Sequence, residues 1–193
     1  MHGQHIHKHY RAPSTRLIGW NYGRGYYFVT ICTNGKHPFF GEIQNGIMQL
    51  SKIGNIAEQC CVAIPEHFPN VQLIEHIIMP DHVHIILQIN PQTVETQNLA
   101  SNLQTVVASN SPTSKLNNKI NFENKFEPQA KNLASIIRGF KIGVTTNARQ
   151  IDPFFMWQSR YHDRIIRDDS ELNATREYIR NNPLRWWIEN RLS

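Results

Sequence analysis

Two histidines one residue apart, His82 and His84, stand in the run Ile74-Glu75-His76-Ile77-Ile78-Met79-Pro80-Asp81-His82-Val83-His84-Ile85-Ile86-Leu87. The composition of that run predicts a buried β-strand. Side chains in a strand alternate faces, so residues i and i+2 project together, about 6.5–7 Å apart. Two imidazoles at that spacing can reach one metal ion. They interrupt a series of Ile, Val and Leu that otherwise has every reason to be core. The pattern alone is a weak signal, because the chain has ten histidines and repeats it at His5-Ile6-His7 in a polar N-terminal stretch. The ordinary alternative is a pair of hydrogen-bonded core or edge histidines.

A second group of residues near the C-terminus bears on the same chemistry. Arg167-Asp168-Asp169-Ser170-Glu171-Leu172 reads as a helix start, with Asp168 or Asp169 as N-cap and acids in the first turn. Leu172, Thr175, Tyr178 or Ile179, and Asn182 then recur at helical spacing. Pro183 is expected to end the helix, since the residue before a proline is biased away from helical backbone. Tyr178 and Asn182 are four apart and share one face. A phenol and a carboxamide oxygen arranged this way can both face the two histidines. The alternative is that Tyr178 is simply a core residue of an amphipathic helix.

The elements that would position these residues follow from the pattern along the chain. Residues 22–33 are aromatic and β-branched, a first strand, followed by a turn at Asn34-Gly35. Residues 42–50, with Asn45-Gly46 in the middle, predict a short hairpin. Ser51 caps a helix over about 52–64, closed by Pro65. Residues 71–79 and 82–90 are two further strands joined by a tight turn at Pro80-Asp81. A helix over about 131–149 carries the stripe Leu133, Ile136, Ile137, Phe140 and Val144. Residues 155–166 make a last core strand before the tyrosine helix. This order predicts an α+β sandwich of ferredoxin-like (palm) type, a mainly antiparallel sheet with helices on one face.

Residues 1–193 suit a single domain, with a basic tail over 1–21 and a polar, flexible insertion over 91–130 crowded with Asn, Gln, Ser and Thr. No run of 18 apolar residues is present to span a membrane. Met1-His2-Gly3-Gln4-His5 lacks the apolar core of a signal peptide. Three cysteines, two of them adjacent at Cys60-Cys61, provide neither a disulfide framework nor zinc-finger spacing, and read as reduced core thiols of a cytosolic protein. Charge is uneven. Residues 1–41 hold five Lys/Arg and no acid, 42–130 hold four against eight acids, and 131–193 hold eleven against seven. Basic ends flanking an acidic middle suit a protein that grips a phosphate backbone, although an ordinary basic protein has the same net charge. Arg11, Arg16 and Arg24 before the first strand, and Arg138 and Lys141 beside the apolar stripe of the 131–149 helix, are the expected DNA contacts. Trp186 and Trp187 either stack on unpaired bases or form a lid on the core.

Taken together, these blocks resemble the single-tyrosine HUH transposases, and within them the REP-associated tyrosine transposases (RAYTs) of bacteria. The likeness runs through Tyr26-Tyr27-Phe28-Val29-Thr30-Ile31-Cys32-Thr33, Phe39-Phe40-Gly41-Glu42-Ile43, Met79-Pro80-Asp81-His82-Val83-His84, Leu133-Ala134-Ser135-Ile136-Ile137-Arg138-Gly139-Phe140-Lys141, Trp157-Gln158 with Tyr161-His162-Asp163-Arg164-Ile165-Ile166-Arg167, and Tyr178-Ile179 with Asn182-Pro183. Two departures stand out: the family often has Asn where Asp81 stands, and 91–130 is longer and more polar than the usual connection.

The resemblance implies a transposase that cleaves and rejoins single-stranded or hairpin-flanking, REP-like DNA. Tyr178 would be the nucleophile, forming a 5′-phosphotyrosine, with Mg²⁺ or Mn²⁺ held by His82, His84 and Asn182. It also implies a bacterial cytoplasmic, nucleoid-associated protein, a monomer or a homodimer. The short connection between Arg167 and Asp169 favours a site built within one chain. No residue stands out as the base for Tyr178; a metal-bound water is favoured over His162. Tyr161 is the other conceivable nucleophile, without a helical partner at i+4. Two alternatives remain open: a replication-initiator or relaxase-type HUH nuclease, and a domesticated protein that binds hairpin DNA without cutting it.

Overall fold

The computed structural model describes residues 20–91 and 132–191. Most of the expected basic tail, including Arg11, Arg16, His5 and His7, and nearly all of the expected insertion lie outside the described residues.

Strand β1 (Gly25–Cys32) is followed by a tight turn at Asn34–Lys36 and a hairpin of β2 (Gly41–Gln44) and β3 (Ile47–Leu50). Next come helices α1 (Lys52–Val62) and α2 (Ile64–His67), strands β4 (Val71–Ile78) and β5 (His82–Ile89), helix α3 (Leu133–Ala148), strand β6 (His162–Ile166) and helix α4 (Asp169–Arg191). The main sheet has the order β4-β5-β1-β6, and every pairing in it is antiparallel. With α1 and α3 as crossovers this is the ferredoxin-like arrangement expected.

Local chemistry explains the boundaries. Asn45 and Gly46 both adopt positive φ (51° and 78°), the backbone a two-residue hairpin turn requires. Ser51 caps α1, its Oγ accepting from the Gly54 N–H at 3.0 Å and donating to the Phe39 carbonyl at 2.7 Å. Pro65 opens the short α2 rather than closing α1, as proline's preset φ allows in a first turn. Asn132 caps α3 by accepting from the Ser135 N–H.

Alternation along β1 and β5 splits the sheet into two faces. Tyr27, Val29 and Ile31 of β1, with Val83, Ile85, Leu87 and Ile89 of β5, join the core under α1 and α3. On the other face Phe28, Ile77, Ile86 and Ile166 meet Leu172 and Ile179 of α4. The two crossover helices therefore share one face as expected, and the tyrosine helix lies across the opposite one. In β4 the pairing slips by one residue between Leu73 and Glu75, so Ile74 is an extra residue. That bulge returns Glu75 and Ile77 to the α4 face, where Glu75 meets Arg180 at 2.8 Å.

Two further expectations are corrected. The last strand is only His162–Ile166. Before it, Arg160 turns through a left-handed conformation (φ 69°), and Trp157 forms a single bridge with Thr33. Phe155 and Trp157 instead pack with Phe39 and Phe40 in an aromatic cluster. Pro183 does not end the tyrosine helix, which runs on to Arg191. An internal proline costs roughly 3 kcal/mol; here Pro183 is buried and the next residue, Leu184, packs on Gly46 of the hairpin. Trp186 and Trp187 consequently lie within α4, half-buried, with the Arg191 guanidinium 4.6 Å from the Trp187 ring centre.

Gly54 sits where α1 passes the end of β2. A methyl group there would lie 2.1 Å from the Phe40 carbonyl oxygen. Gly→Ala in a helix normally gains about 0.5–1 kcal/mol. At Gly54 the sign reverses: Gly54→Ala should lose about 1–3 kcal/mol, read as a lower urea midpoint with an unchanged slope.

Candidate active site

His82 and His84 occupy the start of β5, on the face covered by α4. The turn that delivers them is clamped: the Thr33 N–H and hydroxyl both donate to the Asp81 carbonyl, at 2.8 and 2.9 Å, and the Phe40 N–H donates to the Pro80 carbonyl at 3.0 Å. His84 is only 4% exposed. Its Nδ1 lies 2.9 Å from the Thr30 hydroxyl, the residue opposite it on β1. His82 Nδ1 lies 2.5 Å from the Asp81 carboxylate, and the two Nε2 atoms are 3.1 Å apart.

The proton positions follow from the partners. A carboxylate only accepts, so His82 Nδ1 carries the hydrogen and its Nε2 presents a lone pair. Burial, reinforced by the neighbouring His82 and opposed by Asp81, pushes the His84 pKa down to about 3, so this ring is neutral at ordinary pH. Burial pushes the Asp81 carboxyl up, but the hydrogen bond and charge of His82 outweigh it and hold the carboxyl below its usual value. The Thr30 hydroxyl can either donate to or accept from His84 Nδ1; in the tautomer where it accepts from Nδ1–H, both Nε2 lone pairs face one another across 3.1 Å. Two ligands about 2.1 Å from one ion at a right angle stand about 3 Å apart, so the 3.1 Å separation fits a shared cation. Each ring is also oriented by a partner on its other nitrogen, as metal-bound histidines usually are. Among the described residues no three His, Cys, Asp or Glu side chains gather to hold a metal. A third protein ligand would have to be of another kind, such as an amide.

Helix α4 brings Tyr178 to this pair. Its N-terminus is fixed by Asp168, which accepts from the Glu171 N–H at 2.8 Å, while Glu171 accepts from the Arg167 N–H. Arg164 of β6 donates to the Thr175 hydroxyl at 2.9 Å, and Ile179 packs on Ile86 and Ile166. The Tyr178 ring centre then lies 5.5 Å from that of His84 and 6.0 Å from that of Phe28. Tyr178 remains 38% exposed, whereas Asn182, one turn on, is 8% exposed. His162, Thr30, Phe28, Arg164 and Tyr178 line a cleft of about 340 Å³. Tyr161 falls on the other face, packed against the α3 core.

The expected DNA contacts do not gather here. Arg24 is exposed in the loop before β1, where its carbonyl accepts from the Tyr27 hydroxyl. Arg138 and Lys141 lie on α3, across the sheet from Tyr178, in a groove they share with Thr145, Arg160 and Tyr161. Lys141 is largely engaged inside the protein, donating to the carbonyls of Gln158 and Arg160 at 2.8 and 3.0 Å. Sequence reasoning assigned no role to Thr30, Phe28 and Arg164. They stand in blocks that carry the family resemblance, but their place at the site emerges only once β1, β5 and β6 are known to be neighbours.

The fold is similar to that of a solved transposase. The structure superposes on a REP-associated tyrosine transposase bound to a REP hairpin with a TM-score of 0.53 at 13% identity, over 89% of this chain and 74% of that one. The chain belongs to one family with an uncharacterized protein of Haemophilus influenzae, to which it is 38% identical over 180 residues, 92% of this chain and 91% of the other. No family model matches it. Among the described residues no helix is long and apolar enough to cross a membrane.

The depressed pKa of His84 has a thermodynamic consequence. Below about pH 6.5 the unfolded chain takes up a proton at this position and the folded, metal-free chain does not. Stability should therefore fall as pH drops from about 6.5 towards about 3. Urea unfolding at pH 7, 5.5 and 4.5 should show that decline, and His84→Gln should make it shallower. A variant that tracks the wild type would mean that His84 is not held neutral by the fold.

Proposed function

We propose that this protein is a metal-dependent nuclease and strand transferase for single-stranded or hairpin-flanking DNA, with Tyr178 as nucleophile. The observation that carries this reading is the approach of one exposed tyrosine to a histidine pair on a single sheet face, the Tyr178 and His84 ring centres being 5.5 Å apart and the His82 and His84 Nε2 atoms 3.1 Å apart. The likeness in fold to a REP-associated tyrosine transposase supports it.

In the proposed reaction the Tyr178 oxygen forms a bond to the scissile phosphorus, and the bond from phosphorus to the 3′-oxygen breaks. The strand 5′ to the cut leaves with a free 3′-OH, and the other strand stays on the enzyme as a 5′-phosphotyrosine. The phenolic proton passes to water, which supplies one to the departing 3′-oxygen; His162 lines the same cleft. Attack by a second 3′-OH on the phosphotyrosine reverses these steps and rejoins DNA without ATP, since the phosphodiester energy is conserved. His82 and His84, with the Asn182 carboxamide, would hold Mg²⁺ or Mn²⁺. Such an ion supplies Lewis-acid polarisation of a non-bridging phosphate oxygen. Asp81 and Thr30 orient the two rings. An open cleft beside a helix suits a flexible single strand, which can bend into it, better than a stiff duplex.

Incubation with Mn²⁺ or Mg²⁺ and single-stranded hairpin DNA from the flanks of its own gene should give a protein–DNA adduct on a denaturing gel. Tyr178→Phe should abolish the adduct and leave DNA binding nearly unchanged, because one hydroxyl is lost; an adduct that persists in the variant excludes Tyr178 as nucleophile. By calorimetry, the His82→Ala/His84→Ala double variant should lose Mn²⁺ binding, and Asn182→Ala should weaken it less, a neutral amide being the weakest of the three ligands. Wild-type Mn²⁺ affinity in the double variant would place the metal elsewhere.

A further inference from the structure

The cleft beside Tyr178 has features that phosphodiester cleavage alone does not require. Its floor is Phe28, a half-buried aromatic on a central strand. The Tyr178 ring meets it edge-on at 86°, and the guanidinium carbon of Arg164 stands 5.8 Å from its ring centre. Arg164 is 56% exposed, yet held in place. Its Nη2 donates to Thr175, and its Nε lies 3.5 Å from Glu171. Nη1 has no partner among the described residues. A positioned guanidinium with unused donors at an aromatic-floored cleft is a recognition device. The volume, about 340 Å³, lies at the lower end of small-ligand pockets.

We propose that this cleft receives one unstacked nucleobase of the DNA strand and reads it with Arg164, favouring guanine. The inference rests on the proposed function for its ligand class. Every base has a π-face that can stack on Phe28, which contributes affinity without sequence preference. A guanidinium only donates hydrogen bonds, and guanine alone offers two adjacent acceptors, O6 and N7, on one edge. Adenine pairs one acceptor with a donor on that edge, which Arg164 cannot satisfy. Phe28 therefore sets how tightly a base is held, and Arg164 sets which base.

Fluorescence anisotropy in EDTA tests this without cleavage, using the full chain and labelled twelve-residue thymidine tracts that carry one central guanine, adenine or abasic site. The wild type should bind the guanine tract about tenfold tighter than the abasic one, with adenine between. Arg164→Gln should bring guanine and adenine within about twofold of each other, and Arg164→Lys, which keeps the charge and loses the fork, should do the same. Phe28→Leu should remove most of the contrast between base and abasic site. Equal affinities for all three tracts in the wild type, or a guanine preference surviving in both Arg164 variants, overturns the proposal. A guanine preference without any covalent adduct would leave a base pocket and remove the nuclease reading. An adduct without base preference would do the reverse.

Discussion

The seating of α4 on the sheet is the contact on which the site depends. It rests on a small apolar patch, Ile86 and Ile166 below and Ile179 above, with Phe28, Ile77 and Leu172 around it. Burying side chains of this kind contributes about 1.5–3 kcal/mol each, enough to hold a helix whose composition is polar. The polar ties at its start, Asp168 to Glu171 and Arg164 to Thr175, set its rotation. The Arg180–Glu75 pair ties the middle of the helix to the edge strand. Tyr178 is exposed because its neighbour Ile179 is the residue that packs. One position along, the helix changes from a buried side chain to an open one.

The same face of the sheet pays an electrostatic cost for holding His84. Burial and the neighbouring His82 resist protonation of this imidazole against the pull of Asp81, and its pKa is pushed down to about 3. That cost is useful, since only a neutral ring can offer a lone pair to a cation or a phosphate-bound ion. Asp81 does the complementary work for His82, fixing its hydrogen on Nδ1. The carboxylate and the threonine hydroxyl are thus as much part of the site as the histidines they orient.

The bulge in β4 shows how one residue of backbone can serve the other face. Without the slip between Leu73 and Glu75, the remainder of β4 would present its alternate side chains: His76 and Ile78 would turn towards α4, and Glu75 and Ile77 away from it. With it, Glu75 reaches Arg180, and His76 reaches Glu58 of α1 at 2.9 Å.

Much of this was legible in the chain. The face shared by His82 and His84 follows from strand alternation, the hairpin from Asn45-Gly46, the helix start from Asp168, and the pairing of Tyr178 with Asn182 from helical spacing, all local rules acting over a few residues. What the chain could not disclose was long-range. Proline's local preference predicted a stop at Pro183, but the helix runs through it, with Pro183 itself buried. The strand expected from residue 155 is cut short by the turn at Arg160, and Phe155 and Trp157 join the aromatic cluster instead. That Thr30 touches His84, that Lys141 is engaged by the carbonyls of Gln158 and Arg160, and that Phe28 and Arg164 flank Tyr178 depend on strand order and register. Local propensity fixed the elements and the candidate residues; only the pairing of β5 with β1, β1 with β6 and α4 with both decided which of them meet, because those contacts join residues too distant along the chain for any periodicity to encode.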